Sequence, residues 1–387
     1  MKKDGAKGNP RFNKVGGEAV LEGVMMKAGK NSCTALRMPD GTVRVVKKQF
    51  HSARERHKLL RIPVLRGIVS FVESMVLSYR TLTLSAEAVG GGEEEETKFE
   101  KWLRRTFGKS IYDFVMVLGT VLGLVLAFGL FFYLPMALTK WFDTLSGGTL
   151  GWFKNAIEGG MRILIFIGYV ALVSLMPDIR RTFQYHGAEH KSILCYESGA
   201  ELTVENVRRQ KRFHPRCGTS FIFVIMILSI IVFSFVTWDT LWLRLLLKLP
   251  LLPLIAGVGF EFLMYAGKHD NLLTKIATAP GLWMQRLTTR EPDDDQIEIG
   301  ITALKAALCE EFPELPLEKL AGTDDTYTLL TDALLAKRAA EQAEKERQAE
   351  QKSETAQAVA ADAVPEETER NAAAQNDAPQ SVPGAEH

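Results

Sequence analysis

The 387-residue sequence has only four cysteines, and they lie far apart at Cys33, Cys195, Cys217 and Cys309. No two of them form a CxxC pair, so the sequence gives no sign of a disulfide framework and is typical of a reducing cytoplasm. Residues 1–13 also lack the apolar run and the small-residue cleavage site of a signal peptide. We therefore expect an uncleaved internal segment to direct targeting.

Long runs without charge occur in the middle of the chain, where the apolar residues are concentrated between about residues 111 and 267. Phe114 to Thr139 and Cys217 to Trp238 contain no charged residue at all. A helix that crosses a bilayer needs about 20 apolar residues, because lipid offers no hydrogen-bond partner to exposed backbone groups. The sequence therefore predicts an α-helical multi-pass membrane protein with about four transmembrane helices, at about 111–138, 161–177, 217–238 and 249–267.

The distribution of lysine and arginine predicts the orientation of these spans. Basic residues are dense before the first span, in the loop 178–216 and after the fourth span. The two opposite loops carry few: Lys140, Lys154, Arg244 and Lys248. Because cytoplasmic loops retain positive charge, we predict that both termini and the 178–216 loop face the cytoplasm.

The N-terminal region is polar and divides into four predicted segments. After a disordered start at 1–14, the residues 15–55 have the turn signals and alternating valines of a small β-unit. Residues 58–88 are apolar but interrupted by charges, which favours an amphipathic helix lying at the membrane interface. The acidic, glycine-rich stretch 89–98 is typical of a flexible linker.

The C-terminal region divides into two predicted segments. Residues 268–320 are expected to form a cytoplasmic helical segment, in which the acidic residues after Pro292 suit the first turn of a helix. Residues 321–387 turn to alanine, glutamate and lysine and then to proline and serine. This composition predicts a charged, disordered tail.

The segment from His186 to His190 matches H-x-x-E-H, a zinc-protease signature in reversed order. Both histidines lie on one face of the predicted helix, so both imidazoles can bind one divalent metal, of which zinc fits best. Glu189 would lie beside the water that the metal activates and take its proton. The alternative is that the histidines hydrogen-bond backbone or lipid headgroups at the membrane surface.

Several residues are candidates to complete such a site. Glu197 lies on the same helical face as His186, as a third ligand or as a partner of an imidazole. His214, Arg216 and Cys217 follow at the mouth of the third span. A third ligand would leave an open catalytic position, whereas a fourth would close the site. A capping role for His214 and simple burial of Cys217 are the alternatives.

One acidic residue, Glu261, lies inside the fourth predicted span. A carboxylate in hydrocarbon is costly unless it is paired, so an intramembrane glutamate points to function. Its candidate partners are Lys268 on the same helix and an arginine from another helix, such as Arg66.

Four motifs resemble those of the YqhQ-like family of bacterial membrane proteins. They are GGEAVLEGVMM at 16–26, YHGAEHK at 185–191, HPRCGTS at 214–220 and APGLW with QRLTTREP at 279–292. The resemblance covers about residues 14–310 and implies a domain of unknown function, described as a predicted metal-dependent enzyme of the bacterial cell membrane. It also implies a role for Glu18 and Glu22, which could close over the metal face.

The sequence thus favours a metal-dependent, peptidase-like hydrolase at the cytoplasmic membrane face. A protein substrate and a lipid-linked or phosphorylated one both fit, the latter because the basic loop lies at headgroup level. A non-enzymatic scaffold or assembly factor with a structural metal site is the second hypothesis. A transporter is the third, without the repeats or broken helices that would favour it. No motif predicts a nucleic-acid partner, whereas membrane lipid is an expected one.

Overall fold

A computed structural model describes residues 9–90, 121–235, 241–248, 250–269 and 271–331, with isolated positions at 115, 118, 119, 334–336, 340 and 347. The chain divides into two compact units, residues 1–329 and 330–387. Most of the second unit lies outside the described residues, as do residues 91–98 of the linker predicted at 89–98, whereas residues 89 and 90 are helical.

The first unit contains an antiparallel sheet of six strands, in the order β1-β2-β3-β4-β6-β5. Tight turns join the first strands; one includes Gly29 (φ 58°), a conformation that glycine adopts at little cost. The strand bounds are β1 Val15–Val20, β2 Gly23–Ala28, β3 Asn31–Arg37, β4 Val43–Gln49, β5 Leu317–Lys319 and β6 Thr326–Leu329. The N-terminal β-structure expected from the sequence is therefore present, and its four strands span residues 15–49 of the predicted 15–55.

The two C-terminal strands correct the predicted domain boundaries. The helical segment expected at 268–320 ends at Ala307, and the tail expected from 321 contains β6. β6 pairs with β4, and Tyr327 and Leu329 pack against the buried core. Burial of these apolar side chains in a strand outweighs the charged composition of their surroundings.

The rest of the described chain is mostly helical. The helices are α1 Ala53–Arg56, α2 Leu65–Gly90, α3 Val121–Leu145, α4 Lys154–Val173, α5 Pro177–Ser198, α6 Val204–Arg208, α7 Gly218–Ser234, α8 Leu241–Lys248, α9 Leu251–Lys268, α10 Leu272–Thr288 and α11 Asp294–Ala307. α2 matches the amphipathic helix predicted at 58–88, and its location at a membrane interface stays a prediction. α5 and α11 pack together and against the sheet, so part of the 178–216 segment is packed into the core of the first unit.

Three described helical stretches are long and apolar enough to cross a membrane: Val121–Leu145, Lys154–Val173 and Leu246–Ala266. α7, which corresponds to the third predicted span, is apolar but has only 17 residues. α4, the helix of the second predicted span, begins at Lys154, seven residues before the predicted start at 161. Its N-terminal half contains Glu158 and Arg162, which form an ion pair at 3.1 Å one turn apart.

Glu261 on α9 binds Arg66 on α2 through two hydrogen bonds of 2.7 and 2.5 Å. The arginine partner expected from the sequence is therefore present, and Lys268 is not needed for this role. The helices approach closely at this level, since a Cβ atom on Gly67 would come within 2.3 Å of the Gly257 carbonyl oxygen. A charge pair and two glycines thus join α2 to α9.

Candidate metal centre

Helix α5 carries the two histidines of the H-x-x-E-H motif. Pro177 occupies its first turn, and Gly199 ends it in the left-handed conformation (φ 77°). Between these ends His186 and His190 share one face, and their ring centroids lie 4.4 Å apart. The helix therefore brings the imidazoles together as the spacing predicted.

Backbone carbonyls hold both imidazoles in one tautomer. His186 donates from Nδ1 to the Thr288 carbonyl oxygen at 2.8 Å, and His190 donates from Nδ1 to that of Arg212 at 2.6 Å. A carbonyl can only accept, so each Nδ1 carries a proton, and in the neutral ring each Nε2 then keeps a lone pair. Nε2 of His190 is buried without a hydrogen-bond partner among the described residues. Two fixed, inward lone pairs are the usual arrangement of metal-binding histidines.

Cys217 completes the group at the N-terminus of α7. Its Sγ atom lies 3.1 Å from His186 Nε2, and the ligand atoms of His186, His190 and Cys217 all lie within 4.8 Å of one another. In tetrahedral zinc sites, bond lengths of about 2.0 and 2.3 Å separate nitrogen and sulfur ligands by about 3.5 Å. The three residues therefore fit a zinc-like ion, and no fourth ligand joins the group within the described part of the chain.

The electrostatics of the group favour its metal-binding protonation states. Burial lowers the pKa of His190, which keeps the imidazole neutral. Burial opposes ionisation of Cys217, but the neighbouring His190 and Thr219 together hold the pKa of the thiol below its usual range. A neutral imidazole and a thiolate are the forms that bind metal.

Glu189 lies beside the three ligands without joining them. Its Oε2 atom is 3.9 Å from His186 Nε2, and its side chain is almost fully buried. Burial raises the pKa of this carboxyl to about 8, despite the opposing effect of His186. A carboxyl whose pKa lies near neutrality is suited to accept and return a proton.

Glu197 is not a third metal ligand, which corrects one option of the sequence analysis. It lies on the same side of α5 as His186, but eleven residues at about 1.5 Å each separate them by about 16 Å along the helix. Glu197 instead forms an ion pair with Arg216 and lies 4.0 Å from Nε2 of His214. Although burial opposes it, the nearby His214 and the ion pair with Arg216 lower the pKa of Glu197 to about 2.

His214 and Arg216 belong to this neighbouring network, although the His214 ring lies 5.5 Å from that of His190. Arg216 approaches Nε2 of His214 at 3.3 Å and covers the ring of Phe12 at 4.3 Å. The two clusters, which are separated along the chain, thus lie close together, with Cys217 as the candidate ligand and His214 beside it. The network supports the loop that carries Cys217.

The two N-terminal glutamates have different environments. Glu18 lines the same cavity as Glu189. It accepts a hydrogen bond from Ser78 and forms no ion pair within the described structure. Burial raises its pKa. Glu22 binds Arg181 and Tyr185 instead. Only Glu18 is therefore placed to face the metal centre.

Residues that the sequence analysis did not single out hold the site in place. Gln285 on α10 accepts from the backbone nitrogen of His214 and donates to its carbonyl oxygen, both at 2.8 Å. A Cβ atom on Gly187 would come within 2.1 Å of the Arg290 carbonyl oxygen. The close contact between α5 and the chain at Arg290 therefore requires glycine at position 187. Gln285 and Thr288 lie in the QRLTTREP motif, and this motif was the sequence feature that could have indicated their role in holding the site.

A cavity of about 820 Å³ connects the metal centre to the helices. His186, Glu189 and Cys217 lie in its wall, together with apolar side chains of α2, α7 and α9. The centre is therefore buried in the protein but accessible to a ligand through the cavity.

The fold and the site together define a helical protein with a small sheet and a buried His/Cys centre. The chain belongs to a family described as "Protein of unknown function (DUF1385)", whose model matches residues 62–310. It is 36% identical over 294 residues to "Uncharacterized protein YqhQ" of Bacillus subtilis (strain 168), which covers 76% of this chain and 92% of the relative. No solved structure matches the chain. The family resemblance inferred from the motifs is thus confirmed.

Proposed function

We propose that this protein is a membrane-embedded, metal-dependent hydrolase whose site faces the cytoplasm. The observation that carries the proposal is the group of His186, His190 and Cys217, with both Nε2 lone pairs fixed inward and Glu189 beside them. Three protein ligands with a position left open are typical of a catalytic rather than a structural zinc site. The three apolar helices support a membrane location, and the basic loops support the orientation.

Each residue of the site has a distinct role in this proposal. A bound zinc ion would supply Lewis-acid activation of water and of the substrate. His186, His190 and Cys217 hold the ion, while the Thr288 and Arg212 carbonyls orient the imidazoles. Glu189 accepts a proton from water and returns it to the leaving group.

Substitution of Glu189 by glutamine tests the proposal, because the amide keeps the shape of the side chain but cannot accept the proton. We expect Glu189→Gln to retain metal and normal protein levels. In a strain lacking the native gene, it should lower function by about 10³-fold, within the range typical of a lost general base. Glu201→Gln, at an exposed position three residues beyond the end of α5, is the control. Full function of Glu189→Gln would instead support the non-enzymatic scaffold.

A further inference from the structure

The cavity beside the metal centre has two chemically different parts. One part carries His186, Glu189 and Cys217. The other is lined by aromatic and aliphatic side chains from three different helices. Phe221 of α7 packs against Phe71 of α2 at 5.7 Å and against Phe260 of α9 at 6.0 Å between ring centroids. A ligand that fills the whole cavity must therefore be polar at one end and apolar along its length.

The apolar part of the cavity reaches the outer surface of the helices. Met75 on α2 and Ile222 on α7 both line the cavity, yet their side chains are 57% and 42% exposed. Next to Met75, the same helix exposes Val72 and Val76. Exposed apolar surface of this kind on helices beside candidate membrane spans fits contact with lipid. Exposed apolar surface of α2 and α7 therefore adjoins the cavity.

The size of the cavity restricts the occupant. A volume of about 820 Å³ lies within the range of about 300–1,000 Å³ that small-molecule sites occupy. A slender acyl chain fits a volume of this size.

We propose that this cavity binds an amphipathic lipid with one long acyl chain, which enters sideways from the membrane. The chain lies among Phe71, Phe221, Phe260 and Leu263, and the polar head lies at Glu189 and the metal centre. This inference rests on the proposed function, because it names the substrate class of the same site. It narrows the two substrate classes that the sequence left open to the lipid.

Photo-crosslinking tests the proposal with a readout that does not depend on catalysis. The probe is a lysophospholipid with a diazirine on its palmitoyl chain, added to the full chain in phosphatidylcholine vesicles, and labelled residues are identified by mass spectrometry. Leu263→Trp fills the cavity, whereas Leu254→Trp adds the same bulk on the exposed side of the same helix. We expect saturable labelling of Phe221 or Phe260 to fall at least about tenfold in the first variant and to stay unchanged in the second.

The outcomes separate this inference from the proposed function. Labelling that persists in His186→Ala/His190→Ala, together with a wild-type protein that binds no metal, would keep the lipid site and reject the hydrolase. A wild-type protein that binds metal but is labelled only on its outer surface would reject the lipid site alone. Equal labelling of Leu263→Trp and Leu254→Trp would also reject it. Displacement of the probe by a hydrophobic transmembrane peptide, but not by unlabelled lysophospholipid, would indicate a protein substrate instead.

Discussion

The buried carboxyl of Glu189 should make the metal-free protein less stable at alkaline pH, and Glu189→Gln should remove this effect. The pKa of the folded state, about 8, lies above the ordinary value of 4.5. The folded state therefore binds the proton more tightly than the unfolded state, and the stability that this contributes is lost as the pH rises towards 8. A difference of about 3.5 pKa units corresponds to about 5 kcal/mol at 1.36 kcal/mol per unit.

Thermal unfolding of the chelator-treated protein in detergent measures this effect. At pH 5.5 most of the stabilisation is retained, and at pH 9 nearly all of it is lost. We therefore expect the free-energy advantage of Glu189→Gln over the wild type to grow by on the order of 3 kcal/mol between these two pH values. Circular dichroism at 222 nm (the standard helix signal) follows the transition, because helices dominate the described fold.

The control for this measurement is Glu201→Gln, whose side chain is exposed just beyond the end of α5. We expect its difference from the wild type to be the same at both pH values. If Glu189→Gln were equally or more destabilised at pH 9 than at pH 5.5, the carboxyl would not lie in the buried environment described. The role of this residue as a base tuned by burial would then lose its physical basis.

Two further predictions concern the ligands and the packing of α5. Cys217→Ser should release the metal or weaken its binding at least about 100-fold, whereas Glu197→Gln should retain the wild-type metal stoichiometry. Metal analysis after dialysis measures both, and the reverse result would make Glu197 the ligand. Gly187→Ala should lower the melting temperature strongly because its Cβ atom would overlap the Arg290 carbonyl oxygen. Gly168→Ala has open space and should be neutral or stabilising by about 0.5–1 kcal/mol, so equal losses would refute the close contact.

The sequence was sufficient to predict what depends on local spacing. Residues His186 and His190, four apart on one helix, had to share a face, and their rings do lie side by side. An acidic residue in an apolar helix had to find a cation, and Glu261 is paired with Arg66. Both predictions follow from helix geometry and from the cost of an unpaired charge, so they need no knowledge of tertiary structure.

The choice of the third ligand depended on tertiary structure and could not be read from spacing. Angular position on the helix made Glu197 a candidate, although its distance of about 16 Å along the axis, which also follows from spacing, already speaks against it. The identity of Cys217 as the third candidate ligand is what the spacing could not give. Cys217 reaches the histidines because α7 packs against α10, whose Gln285 clamps the backbone of His214. Contacts between such distant segments have no local sequence signal.

The position of the last strand was missed for a related reason. β6 adds to β4 across more than 270 residues of sequence, and its four residues are too few for a periodicity to emerge. Pairing of a distant segment with an existing sheet edge is decided by the edge, not by the composition of the segment.

The metal content of the purified protein is the most direct test of whether His186, His190 and Cys217 bind a metal. Full-length protein grown in metal-replete medium would be purified in detergent without chelators and compared with His186→Ala/His190→Ala by elemental analysis. His51→Ala/His57→Ala, at two exposed histidines, is the matched control. We expect about one tightly bound metal per chain in the wild type and the control, and its loss in the site variant. Absence of metal from all three proteins, or equal metal in all three, would contradict this expectation.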